Sequence, residues 1–315
     1  MRDVGIVVVT YNSQREIGPC LDAALATGAE VVVVDNASQD GTVAEAGRRH
    51  VSVLANPRNR GFAAAVNQGF AVLNTPYVLL LNPDAVILGG LDRLRAACQP
   101  PHAAAGGCLL DERGTPQIGF MARSLPTPTT LILEALVLNR IWPGNPVNRR
   151  YRGLDLPYYV QCAVEQPAGA FLMVRRAVWQ ELGGFDESFW PLWFEDVDFC
   201  RRMADAGHVS YYVPEAVAKH TGGHSIPRLS VEMRHFYWYR SLLQYSAKHF
   251  RALPFRAVCA AVVAGSILRT VAESLTGRGW KAFGDYSRVV SLAGRLFLFG
   301  RRGGERSRTK VTGSI

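Results

Sequence analysis

The chain has no Cys-x-x-Cys pair, no G-x-G-x-x-G and no Walker A sequence. Its cysteines (Cys20, Cys98, Cys108, Cys162, Cys200, Cys259) are scattered, mostly among apolar neighbours. That spacing argues against disulfides and zinc, and predicts reduced, buried thiols in a cytosolic compartment. Without the two glycine-rich phosphate fingerprints, a dinucleotide dehydrogenase and a P-loop NTPase are disfavoured. Long apolar runs are missing too. Residues 257–268, between Arg256 and Arg269, form the longest uncharged stretch near the C-terminus. It falls short of the ~20 residues a spanning helix needs, but it suits an interfacial one. No secretory signal is expected ahead of the first strand, and there are no repeats or low-complexity segments.

Acidic excess is absent as well, and the net charge of +9 is unevenly placed. Residues 1–240 carry 22 Lys/Arg against 23 Asp/Glu, and residues 241–315 carry 13 against 3, so the excess lies in the last quarter. A basic end beside apolar helices suits a peripheral contact with the inner face of the cytoplasmic membrane. It equally suits a solvated helix followed by a disordered tail. No recognition motif accompanies the charge, so nucleic acid is not an expected partner.

What is present is alternation. Apolar runs at 4–10 (VGIVVVT), 30–34 (EVVVV), 51–55 and 76–81 read as strands. Helical stretches at 17–26, 42–50 and 62–73 separate them. Strands apolar on both faces, alternating with helices, predict a mainly parallel sheet covered on both sides. Past Pro100 the pattern weakens, and residues 125–165 mix Pro, Gly and aromatics around Arg149, Arg150 and Arg152, as a mobile or substrate-shaping segment would. Pattern returns with a strand at 169–174, helices at 176–182 and 194–206, and a strand at 209–213. Residues 231–249 and 255–300 read as helical, and 255–300 would serve a membrane contact or a homodimer interface. The expected division is 1–225, a nucleotide-binding α/β domain, 226–300, a helical extension, and 301–315, a basic disordered tail.

Ligands of such sheets bind beyond the carboxyl ends of the strands, where Asp35, Asn59 and Asp84 fall. Asp84 follows Leu79-Leu80-Leu81-Asn82-Pro83, which places a hard oxygen ligand at a strand end. Glu195-Asp196-Val197-Asp198 opens a helix, where acids favour the dipole. The aromatic wall before it (Phe185, Phe189, Trp190, Trp193, Phe194) offers a stacking surface, and Asp196 is the expected general base. His220, in a loop after a strand and Pro214, is a candidate metal ligand. His224 lies beyond two glycines and does not share its face. Gly61 permits close approach of a ligand, and the helix from Phe62 offers free N–H groups to phosphate.

Taken together, VVVTYNS (7–13), VVVVDNASQDGT (31–42), NRGFAAAVNQGF (59–70), LLLNPDA (79–85), GAFLMVRR (169–176), GGFDESF (183–189), FEDVDFCRR (194–202) and His220 resemble family 2 glycosyltransferases of the GT-A fold, most closely bacterial rhamnosyltransferases. The likeness spans residues 4 to about 225. It implies inverting transfer of a sugar from a nucleotide diphosphate donor, aided by Mg²⁺ or Mn²⁺. By motif position, Asp35 would hold the base or ribose, with Thr10, Tyr11 and Asn12 beside it. Asn59, Gly61, Phe62, Asn67 and Asn82 would border the donor. Asp84 would be the last acid of the D-x-D motif and His220 a second metal ligand. Asp196 would be the base, with Trp193 and Glu195 at the acceptor. The first acid of D-x-D is Asn82 here, which can ligate through its carbonyl oxygen but adds no charge. Rhamnose from dTDP-rhamnose is the expected sugar, with UDP-galactofuranose, UDP-glucose and UDP-N-acetylhexosamine as alternatives. The expected acceptor is a saccharide, free or lipid-linked, in cell-envelope polysaccharide synthesis. A non-catalytic sugar-binding protein is the rival. A nucleotidyltransferase would need a basic glycine-rich loop after the first strand, and residues 10–18 lack one.

Overall fold

The computed structural model describes residues 1–222, 230–275 and 280–300, apart from the side chains of 280–283 and 285. His224 and the basic end at 301–315 lie outside the described residues. The first half runs β1 (Val4–Thr10), α1 (Ile17–Ala26), β2 (Glu30–Asp35), α2 (Thr42–Gly47), β3 (Ser52–Ala55), α3 (Phe62–Val72), β4 (Tyr77–Leu81), β5 (Ala85–Gly89), α4 (Leu91–Ala97), β6 (Ala104–Leu110), β7 (Ala122–Arg123), α5 (Pro128–Ala135), α6 (Leu138–Ile141) and α7 (Pro146–Tyr151). Then follow β8 (Cys162–Val164), β9 (Gln166–Pro167), β10 (Phe171–Arg175), α8 (Arg176–Glu181), α9 (Glu195–Asp205), β11 (Ser210–His220), α10 (Val231–His249), α11 (Ala252–Glu273) and α12 (Trp280–Phe299).

Strand side chains alternate between faces, and here both faces are covered. Ile6, Val8, Val33, Leu79 and Leu81 enter one core. Val7, Val9, Val32, Val34, Val78 and Leu80 enter the other. Gly69 of α3 permits a close helix–sheet approach, since a Cβ there would stand 2.4 Å from Val7 Cγ1.

The sheet order is β3-β2-β1-β4-β10-β6-β11-β5, with β8 beside β11. Strands β3, β2, β1 and β4 are parallel. Antiparallel β10 sits between β4 and β6, which makes the sheet mixed. The carboxyl ends of β1, β2 and β4 therefore share one edge.

Several expectations change. The region after Pro100 contains β6 in the middle of the sheet, invisible as a pattern because AAGG is small rather than apolar-periodic. The segment 125–165 folds as three short helices, two of them started by Asn or Thr caps followed by Pro, and the short strand β8. His220 is not in a loop: β11 continues past Pro214 through a register shift between Val213 and Val217 and ends at His220. Residues 255–300 form two helices. The first of these, α11, includes Arg256 and Arg269, reaches 22 residues, and is long and apolar enough to cross a membrane by length and composition, with 39% of its most apolar window buried. Its inner face joins Leu131, Phe189, Phe194, Val197 and Leu242 in a third core, so the helical extension packs on the α/β part. No cysteine is paired, and Cys162 alone is not fully buried.

Candidate active site

A cavity of about 900 Å³ opens at the shared strand ends. Thr10, Tyr11 and Asn12 bring β1 to it, and Asn82 and Asp84 bring β4. Asn59 and Phe62 line the side of α3, and Trp193, Glu195 and Asp196 that of α9. Asp35, Gly61 and Asn67, expected at the donor, stand behind this lining. Asp35 is 2% exposed, and its carboxylate accepts from Thr10 Oγ1 at 2.8 Å and from the Ser38 backbone N–H at 2.9 Å. Gly61 packs against Trp190 at φ +89. Asn67 Nδ2 donates to the Phe185 carbonyl at 2.9 Å, which ties α3 to the loop before α9. Asn36 lines the cavity in place of Asp35. Its Nδ2 donates to Asn59 Oδ1 and the Gly61 carbonyl, fixing the loop that starts α3.

The β-register explains how Asp84 meets a residue 136 positions later. His220, the last residue of β11, pairs with Ala85, the first of β5. His220 Nε2 lies 3.6 Å from Asp84 Oδ1, and both side chains are buried. Asn82 Nδ2 approaches the same imidazole nitrogen at 3.3 Å. Gln117 orients the ring: its Nε2 donates to the His220 carbonyl at 2.7 Å, which leaves its Oε1 to accept from Nδ1 at 3.0 Å. This assigns the Nδ1–H tautomer and leaves the Nε2 lone pair beside Asp84, the arrangement common in metal-ligating histidines. Among the described residues no group of three or more His, Cys, Asp or Glu could hold a metal. Asp84 and His220 present two side chains that could bind a cation, and the Asn82 amide, turned end for end, could add a third.

On the opposite wall, α9 begins after two consecutive residues in the left-handed region, Trp193 (φ 77) and Phe194 (φ 70). Non-glycine residues there cost on the order of 1–3 kcal/mol each and persist where packing enforces them. Phe194 is locked in the third core, and the strained turn sets Trp193, Glu195 and Asp196 on the cavity. Asp196 Oδ1 accepts from the Val197 N–H at 2.8 Å. Its Oδ2 accepts from the Gly169 N–H and from Gln166 Nε2, both at 3.3 Å. Burial pushes the Asp196 carboxyl above the ordinary range, against the pull of those backbone N–H groups and of Arg123. Glu195 is pushed up strongly by burial and then by the charge of Asp196, and its Oε2 has no hydrogen-bond partner. The donors converge on Asp196, so they favour its charged form, while Glu195 has no such donor at Oε2. Asp198 faces away. It accepts from Arg202, Lys248 and His249, and although burial opposes it, the His249 and Lys248 hydrogen bonds lower it to about 2.

Gln117, Arg123, Tyr151, Gln166 and Gly169 reach the cavity without a sequence signal strong enough to single them out. Gln166 sits in a two-residue strand with no periodicity, and Gly169 precedes β10 where it was expected inside the strand.

The chain belongs to glycosyl transferase family 2, whose model matches residues 5–133. N-acetylglucosaminyl-diphospho-decaprenol L-rhamnosyltransferase of Mycobacterium tuberculosis is 32% identical over 289 residues, covering 79% of this chain and 90% of that protein. Rhamnosyltransferase WbbL of Escherichia coli is 24% identical over 194 residues, 60% of this chain and 69% of that one. Among solved structures, mannosyltransferase PcManGT from Pyrobaculum calidifontis, in complex with GDP-Man and Mn²⁺, superposes with a TM-score of 0.53 at 17% identity, covering 96% of this chain and 88% of that one. Residues 1–349 of S. aureus TarS give 0.50 at 17% identity over 92% and 81%. These structures share the GT-A fold with the present chain. The protein is a glycosyltransferase.

Proposed function

We propose that the enzyme transfers L-rhamnose from dTDP-rhamnose, with inversion, to a hydroxyl of a saccharide carried on a lipid diphosphate. The observation that supports this best is the facing pair of walls: Asp84 with His220 on one, and Asp196 within a set of donors on the other. The sugar and the acceptor class rest on the likeness to the mycobacterial rhamnosyltransferase, 90% of which is matched.

Asp84, His220 and the Asn82 carbonyl oxygen would hold Mg²⁺ or Mn²⁺, an oxygen-rich set with one imidazole that suits such cations. When bound, the cation supplies Lewis-acid neutralisation of the leaving diphosphate. Thr10, Tyr11, Asn12 and Asn59 border the nucleotide, and Phe62 closes that side. Asp35 acts from behind them, holding Thr10 and Ser38. Trp193 and Glu195 border the acceptor sugar on this wall. Asp196 takes the proton of the attacking hydroxyl as that oxygen closes on the anomeric carbon from the side opposite the diphosphate. Holding both sugars in line supplies much of the remaining acceleration. The reaction takes place at the inner face of the cytoplasmic membrane. Exposed Ile267, Leu268 and Val271 of α11 and the basic excess of residues 241–315 support a peripheral contact there.

A thermal-shift panel tests the donor: dTDP-rhamnose, UDP-galactofuranose, UDP-glucose and UDP-N-acetylhexosamine, each with Mg²⁺, Mn²⁺ or chelator. A metal-dependent rise in Tm with dTDP-rhamnose is expected. A rise with a UDP-sugar alone would reassign the donor, and a flat panel for a folded protein would favour a non-catalytic role.

A further inference from the structure

Two arginines on the cavity wall have no place in the scheme above. Arg123 is half-buried. Its Nε donates to the Gly119 carbonyl at 2.7 Å, and its guanidinium lies over the rings of Phe120 and Tyr151 at 5.6 and 5.8 Å. Arg152, just after α7, donates from Nε to Asn148 Oδ1 at 3.2 Å. Both line the cavity. Their neighbour Arg149 pairs with Asp155. Arg123 and Arg152 make no ion pair with a carboxylate among the described residues, and their terminal nitrogens have no hydrogen-bond partner there. Asp196 gives Arg123 a nearby negative charge but among the described residues takes no hydrogen bond from it, so both guanidinium forks keep donors for a further anion.

A guanidinium fork matches phosphate oxygens, and the aromatic bracket presets the Arg123 fork. Its position says which substrate brings the anion. In the β7–β9 register Arg123 stands opposite Gln166, and Gln166 bonds Asp196. The anion at Arg123 therefore lies beside the group that must reach the acceptor hydroxyl. The donor's diphosphate has a separate place at Asp84 and His220. Phe120, which stacks on His220 at 5.3 Å and carries Arg123, sets the two places side by side.

We propose that Arg123 and Arg152 form a second diphosphate subsite, which receives the diphosphate of the acceptor. This rests on the reading that the acceptor is a lipid-linked glycosyl diphosphate. It makes the diphosphate a recognition element, so that a plain saccharide is a poor acceptor.

The test is titration of inorganic pyrophosphate into the full chain in chelator, where no cation can recruit it to Asp84 and His220. The wild type should bind it. Arg123→Gln and Arg152→Gln should each weaken binding about tenfold to a hundredfold, the range of charge-assisted hydrogen bonds. Arg152→Gln keeps the test decisive should Arg123→Gln disturb the aromatic bracket. In parallel, dTDP titrated with Mn²⁺ should bind wild type and both variants equally. Pyrophosphate binding that is absent in the wild type, or unchanged in both variants, overturns the proposal. So does weakened dTDP binding in the variants, which would give the arginines to the donor. Failure of the underlying functional reading would look different, as no dTDP binding by the wild type.

Discussion

Three carboxylates within four residues have three different environments. Asp196 faces the cavity with donors on both oxygens, Glu195 is buried without a partner at Oε2, and Asp198 is fully buried among three basic side chains. That Asp196 and Asp198 face different ways was legible in the sequence, because residues two apart on a helix point in different directions. The partners of Asp198 were not, because Lys248 and His249 lie 50 and 51 positions away. Two predictions follow from these environments. A general base works ionised, and burial raises Asp196, so kcat/KM should fall on the acid side with an inflection above the ordinary aspartate value of about 3.9. An acid limb at or below that value would contradict the role. Asp198 is lowered, so its contribution to stability is present above its ordinary value of 3.8 and is lost as pH falls toward about 2. Asp198→Ala leaves Arg202 and His249 without their carboxylate, while Lys248 keeps Asp186, and should cost on the order of 3–5 kcal/mol. Denaturant melts at pH 7 would show this, and the gap from wild type should narrow below pH 3.

At the scale of elements, the parallel half was legible because its strands are β-branched runs buried on both faces. The second half was not. Strand β6 opens with Ala-Ala-Gly-Gly, and β11 crosses a proline by shifting register, which local pattern cannot signal. That shift brings His220 to Asp84, so the geometry of this pair depends on a bulge that reads as a turn. The helical elements depend on a similarly hidden contact. A Cβ on Gly265 of α11 would stand 1.9 Å from the Ala135 carbonyl at the end of α5. Overpacking of a close helix crossing costs about 1–3 kcal/mol. Gly265→Val should therefore lower Tm, and since Leu131 and Glu134 of α5 line the cavity, it should also raise the KM for substrate. A normal Tm with unchanged KM would mean that α5 and α11 separate without consequence.

For the whole molecule, the composition pointed to a basic, apolar C-terminal quarter and left open what it touches. Its inner face covers the catalytic part: Phe189, Phe194 and Val197 share a core with α10, α11 and α12, and Asp198 is bonded to Lys248 and His249. The strained turn at Trp193 and Phe194 is held from that side, so the helical extension supports the wall that carries Glu195 and Asp196. The layout places Asp84 and His220 across one cavity from Asp196, with the carboxyl ends of β1 and β4 on one side and α9 on the other.

The most direct measurement is turnover of Asp196→Asn at saturating dTDP-rhamnose and diphosphate-linked acceptor, read by mass spectrometry of the glycosylated product. Loss of about 10²- to 10⁴-fold in kcat is expected, with donor binding by thermal shift retained. Full turnover by Asp196→Asn would contradict the assignment of the base, and with it the account of the two facing walls.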